Sequence, residues 1–126
     1  MTALLLDTHA FLWWQGGGSA LSSAARQAIA SQDSVVYVSA ASAWEMAIKR
    51  AKGRLESPMD VAEAVDANGF HELPISTMHA QSVGALPPYH NDPFDRLLIA
   101  QAKLEGLTIV TRDPAFKAYG VALLIA

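Results

Sequence analysis

A three-layer α/β/α sandwich around a mainly parallel central sheet is the fold class this sequence predicts, and three observations lead to it. The short apolar runs Ala3–Leu6, Val35–Val38 and Leu107–Thr111 are continuous rather than alternating, as strands buried on both faces must be. Stretches with apolar residues at helical spacing separate these runs. Strand and helix therefore alternate along the chain, and such alternation demands crossover connections and parallel pairing. The 126 residues suit one domain, 1–126, and a hydrophobic content of 52% is enough to fill its core.

Each element has a local reason. The first strand stops at Asp7, and Thr8 to Trp14 reads as a short helix halted by Gly16-Gly17-Gly18. Leu21 to Ser31 is a second helix, with Ser19 or Ser22 as its cap. The β-branched run Val35–Val38 is too short for a helix and is expected in the middle of the sheet. Ser39 to Lys52 is the clearest amphipathic helix, opened by Ser39 or Ser42 and stopped by Gly53. Ser57-Pro58 opens a helix from Met59 to Asn68, ended by Gly69. His71 to Ile75 contains Pro74 and is expected at an edge or a strand end. Ser76 to Gly84 gives another helix, and Leu86-Pro87-Pro88-Tyr89 a stiff loop. The helix from Pro93 is capped by Asp92, buries Leu97, Leu98 and Ala102, and gives way to a strand at Gly106. Asp113-Pro114 caps a short helical turn through Tyr119, and Val121 to Ile125 is a last strand.

Composition narrows the function. With no cysteine there is neither a disulfide nor a thiolate site, so any metal must be held by oxygen or imidazole, as suits a cytoplasmic protein. The opening Met1-Thr2-Ala3-Leu4-Leu5-Leu6-Asp7 lacks a basic flank and meets an acid after three leucines, so it reads as a strand, not a signal peptide or membrane span. A formal net charge of -3 argues against a broad basic nucleic-acid footprint, although a metal and a local basic patch can still hold a phosphate backbone.

The acids point to chemistry. In a parallel sheet, functional residues gather at the carboxyl ends of the strands. Asp7 and Asp113 each follow a strand, Asp95 opens a helix, and Glu45 lies in the helix after the second strand, so four separated segments can supply one pocket. Carboxylates brought together repel unless a cation sits between them or some are protonated, which favours a hard divalent ion, Mg²⁺ or Mn²⁺. Hydrolysis of a phosphodiester is the reaction such a pocket suits. Two other uses of strand-end acids fit less well. A phospho-accepting receiver-like domain would pair an acid with Asp7, and a haloacid-dehalogenase-type phosphatase would place one where His9 stands. A non-catalytic metal- or RNA-binding module is the remaining alternative.

Four segments also carry a resemblance. Leu4-Leu-Leu-Asp-Thr-His9, Ser39-Ala-Ala-Ser-Ala-Trp-Glu-Met-Ala-Ile-Lys49, Asp92-Pro-Phe-Asp-Arg-Leu-Leu-Ile-Ala-Gln-Ala102 and Thr111-Arg-Asp113 resemble the PIN-domain nucleases, and among them the VapC-type toxins of bacterial toxin–antitoxin pairs. The likeness spans essentially the whole chain in the right order. It implies a PIN-like α/β/α fold, Mg²⁺- or Mn²⁺-dependent cleavage of RNA, and inhibition by a cognate VapB-type antitoxin. It also implies that Asp7, Glu45, Asp95 and Asp113 are the metal-binding catalytic acids. Asp92 is an extra acid of the Asp-Pro-Phe-Asp-Arg variety, and reads first as a helix cap and second as a ligand.

The remaining polar residues each have two readings. Lys49 stands one turn beyond Glu45, where it either pairs with that acid or contacts a scissile phosphate. Arg96 and Arg112 adjoin site acids and either hold the RNA backbone or balance the acidic charge. Lys49, Arg50, Lys52 and Arg54 form a basic run that suits a solvated helix end first and RNA second. Thr8, Ser42 and Thr111 are candidates to orient the carboxylates. His9, His71, His79 and His90 lack metal-ligand spacing and read as satisfied surface or loop residues. Phe11, Leu12, Trp13 and Trp14 either enter the core or form a homodimer or antitoxin surface.

Overall fold

The computed structural model describes residues 2–57 and 60–126. Five strands, β1 (Thr2–Leu6), β2 (Ser34–Ser39), β3 (His71–Leu73), β4 (Thr108–Thr111) and β5 (Leu123–Ile125), form one sheet in the order β3-β2-β1-β4-β5. Every pairing is parallel. Six helices connect them: α1 (Thr8–Gln15), α2 (Ser23–Ala30), α3 (Ala40–Ala51), α4 (Val61–Ala67), α5 (Thr77–Ser82) and α6 (Pro93–Glu105). Two 3₁₀ turns, Val83–Ala85 and Pro114–Tyr119, complete the fold.

The continuous leucines of β1 show why this sheet is covered on both sides. Leu4 and Leu6 enter one core with Phe11, Ile29, Val36, Val38, Met46 and Val110, whereas Leu5, on the opposite face, packs with Leu98, Ile99, Ile109 and Phe116. Helices α1, α2 and α4 cover the first face, and α6 covers the second. α3 contributes Met46 to one core and Ala41 to the other, so it stands between the layers.

Caps and breakers set the boundaries. Ser22 rather than Ser19 caps α2, its hydroxyl accepting from Ala25 N at 3.0 Å. Ser39 caps α3, and Asp92 caps α6 by accepting from Phe94 N and Asp95 N. Gly106 closes α6 at φ +69°, a left-handed conformation costly for any residue with a Cβ. Asp60 caps α4; the start expected at Pro58 and Met59 lies outside the described residues. β3 ends at Leu73, two residues earlier than expected, because Pro74 has no N–H to continue the ladder. β4 and β5 likewise begin one and two residues later than the apolar runs suggest.

The strand order positions the site. β1 lies between β2 and β4, so the chain leaves it towards one edge and later returns on its other side. That reversal opens a crevice beyond the carboxyl ends of β1 and β4. Leu6 pairs with Val110, and Asp7 N donates to Val110 O at 3.1 Å, so Asp7 and the Thr111–Asp113 segment emerge side by side.

Candidate metal centre

Asp7 is almost fully buried and is the N-cap of α1, its Oδ1 accepting from Ala10 N at 2.8 Å. Burial pushes its carboxyl above the usual range, opposed by hydrogen bonds from Thr111 and Ala10 and reinforced by the charge of Glu45. Glu45, only 4% exposed, comes from the inner face of α3 and accepts from the Thr8 hydroxyl at 2.6 Å and from Lys49 Nζ at 2.5 Å. The Lys49 ammonium is shifted upward chiefly by that bond, with Asp92 and Asp95 adding their attraction. Lys49 thus faces the same acids as the metal would.

Asp95 shows the greatest electrostatic stress. Burial, then the neighbouring Asp92 charge, pushes its carboxyl up to about 7, with Asp7 and Glu45 adding to the effect and His90 opposing it. His90 Nε2 lies 3.0 Å from Asp95 Oδ2 and 2.9 Å from Asp113 Oδ2. Its other nitrogen, Nδ1, accepts from Asp92 N at 3.1 Å, which assigns the proton to Nε2, between the two carboxylates. Asp113 also caps the following 3₁₀ turn, and its N–H donates to the Thr111 hydroxyl at 3.1 Å.

Of the four acids named from the sequence, Asp95 is near enough to feel Asp7 and Glu45 and shares His90 with Asp113, while Thr8 and Lys49 bond Glu45, Thr111 bonds Asp7 and Asp92 adds its charge to Asp95. Ser42 lies one turn before Glu45 on the buried face of α3, and its hydroxyl has no hydrogen-bond partner among the described residues. His90, expected as a satisfied surface or loop residue, stands between two of the candidate acids, a place that comes from a turn of two residues and not from ligand spacing. One signal was available: His90 directly precedes the Asn91-Asp92-Pro93 helix start, where a short side chain–backbone turn holds a ring close to the first helical turn. His79, also expected as a surface or loop residue, is buried, and its Nδ1 accepts from the N–H of Ser76, the N-cap of α5, at 3.0 Å.

Two arginines point elsewhere. Arg96 donates to the carbonyls of Val83 at 3.0 Å, Leu86 at 3.2 Å and Pro87 at 2.9 Å, and to the Tyr119 hydroxyl at 3.3 Å. Tyr119 in turn accepts from His90 N at 2.8 Å, so Arg96 and Tyr119 hold the loop that presents His90. Arg96→Ala is expected to lower stability by about 2–3 kcal/mol in urea unfolding, because it leaves several loop carbonyls unpaired. Arg96→Lys is expected to recover little of this, since one ammonium cannot reach three divergent carbonyls. Arg112 places its guanidinium 4.2 Å from the Trp13 ring centroid and donates to Ala126 O at 3.1 Å and to Ala20 O. Trp14 donates to Asn68 at 3.0 Å, and both tryptophans are half-buried against the core.

The donor set fits a hard cation. One atom from each of His90, Asp95 and Asp113 lies within 4.8 Å of the others, and Asp7 and Glu45 raise the local negative potential. Part of the carboxylate charge is offset within the chain, by the raised carboxyl of Asp95 and by Lys49 on Glu45. Carboxylate oxygens suit a hard divalent cation in kind, with His90 bridging two of them through its Nε2–H.

A parallel α/β/α sandwich with converging acids at its topological switch point defines a carboxylate-centred α/β protein. The chain belongs to the PIN domain family, whose model matches residues 4–122. It is 33% identical over 122 residues to Ribonuclease VapC22 of Mycobacterium tuberculosis strain ATCC 25618 / H37Rv, covering 94% of this chain and 93% of that protein. Among solved structures it is similar to VapBC2 of Rickettsia felis bound to a promoter DNA fragment, with TM-score 0.69, 15% identity and 98% of each chain covered. A toxin–antitoxin complex from Klebsiella pneumoniae gives TM-score 0.66 at 19% identity, over 97% of this chain and 96% of that one.

Proposed function

We propose that this chain is a Mg²⁺- or Mn²⁺-dependent endoribonuclease, working as the toxin of a type II toxin–antitoxin pair in the cytoplasm. The observation that supports this reading is the concentration of carboxylates around Asp95, which feels Asp7, Glu45 and Asp92 and meets Asp113 through His90. Likeness to a named ribonuclease over nearly the full chain supports RNA as the substrate. Likeness to toxin–antitoxin complexes supports a VapB-type antitoxin as the partner. Among the described residues no helix is long and apolar enough to cross a membrane.

In this reading the four acids hold the ion or ions, with His90 keeping Asp95 and Asp113 in register. When bound, the ion supplies Lewis-acid stabilisation of charge developing on a phosphoryl oxygen and makes water more acidic. The Thr8 hydroxyl fixes Glu45, and the Thr111 hydroxyl fixes Asp7. Lys49, at the rim, is placed to meet a non-bridging phosphate oxygen. A water oxygen bonds to phosphorus, one ester P–O bond breaks, and the proton that water gives up ends on the leaving ribose oxygen.

Incubating a mixed structured RNA pool with the chain in Mn²⁺, Mg²⁺ or EDTA tests the reading. Discrete products that require metal are expected, and their ends would define the cleavage sequence. Folded, metal-binding protein that leaves every RNA intact would move the chain to the binding-only alternative.

A further inference from the structure

Trp44 keeps 58% of its surface exposed, although it sits immediately before Glu45, one of the most buried charged residues. Its indole meets the ring of Phe94 edge-on, with centroids 5.1 Å apart and planes at 79°. Phe94 immediately precedes Asp95, so this aromatic pair bridges α3 and α6 at the level of two site acids. Phe94 is half-buried and backs the indole, leaving the Trp44 ring restrained yet open. Farther along α3 comes Lys49, which reaches Glu45, and the turn that follows the helix carries the exposed Lys52 and Arg54.

α3 and the turn after it thus carry an exposed ring and cations beside the buried Glu45. Proteins that grip single-stranded nucleic acid combine these groups, with cations tracking phosphates and a ring accepting a base. The surface around Trp44 on its own helix is small, with exposed Ala47 and Ala51 at the following turns. A solitary ring among alanines suits stacking by one flat ligand. The core of a protein interface needs contiguous apolar area, about 800 Å² per partner for the whole patch.

We infer that Trp44, backed by Phe94, is a stacking platform for a nucleobase of the bound RNA next to the phosphodiester held at the acidic crevice. The inference rests on the nuclease reading above and adds to it a base-contacting subsite.

Fluorescence anisotropy with a labelled random-sequence 12-nucleotide RNA, in Mg²⁺ and in an Asp7→Asn background to suppress cleavage, tests it. An abasic ribose-phosphate strand of the same length is run in parallel. Adding Trp44→Ala is expected to weaken RNA binding about tenfold, in the range of one lost base stack, while Trp44→Phe loses far less. Affinity for the abasic strand is expected to be the same with Trp44 or alanine. Unchanged RNA binding in Trp44→Ala overturns the platform, and so does an equal loss on the abasic strand, which would make the effect electrostatic. If Trp44→Ala dissociates a dimer in light scattering and RNA affinity follows the dimer population, the ring is a contact between copies. Failure of the Asp7→Asn parent to bind RNA at all would instead remove the nuclease reading itself.

Discussion

Asp7→Asn is expected to abolish RNA cleavage, with a loss of at least ~10³-fold, while the protein stays folded. The magnitude follows from removing a buried ligand charge beside a metal whose transition-state stabilisation is worth several kcal/mol, each ~1.4 kcal/mol being a factor of ten. Folding survives for a specific reason. Asp7 caps α1 through Oδ1, and asparagine caps about as well as aspartate. Burial already disfavours the Asp7 charge, so neutralising it relieves a cost in the metal-free protein. The check is paired: gel analysis of RNA products, and thermal unfolding of the same preparation. Activity retained in folded Asp7→Asn would take Asp7 out of the mechanism.

The second large effect is on stability against pH. An unfolded aspartate titrates near 3.9, whereas the native Asp95 carboxyl titrates at about 7. Between those values the native state binds the extra proton, so stability of the metal-free protein falls as pH rises from about 4 to about 7 and levels off above. The spread of about three units sets the drop at up to roughly 4 kcal/mol. Asp95→Asn is expected to remove most of this slope, being more stable than the parent at pH 8 in EDTA and similar at pH 4. Loss of a carboxylate from the first turn of α6 opposes this by only about 0.3–1 kcal/mol, so the desolvation effect wins. Adding Mn²⁺ at a hundred times its dissociation constant should restore about 2.7 kcal/mol to the parent at pH 8, and little to the variant. An identical slope in both proteins would show that Asp95 is not the stressed group.

The elements were legible in the sequence wherever local chemistry decides them. Leu4-Leu5-Leu6 had to be a strand covered on both faces, and Asp92-Pro93 had to open a helix. The acids were legible because each stands where the chain changes direction at a strand end or a helix start, apart from Glu45, which showed itself as a carboxylate on an apolar helix. Arg96 and Arg112 were harder to place, because neighbours in sequence are not neighbours in direction. Successive residues on a helix point about 100° apart, so Asp95 meets His90 while Arg96 turns to the loop carbonyls. Just past β4, Asp113 likewise meets His90 while Arg112 turns to Trp13 and Ala126. His90 depends on contacts distant in sequence, with Asp113 and Tyr119, and no spacing rule reports those.

The central place of β1 also governs when the crevice can exist. Leu4 pairs with Val36 on one side but must wait for Thr108 on the other, a loop of roughly a hundred residues to close. During synthesis Asp7 is made early, yet its companion Asp113 emerges only after nearly every other element. A ribosome-bound chain therefore carries these acids apart, and they come together only once the newly made protein has closed its sheet.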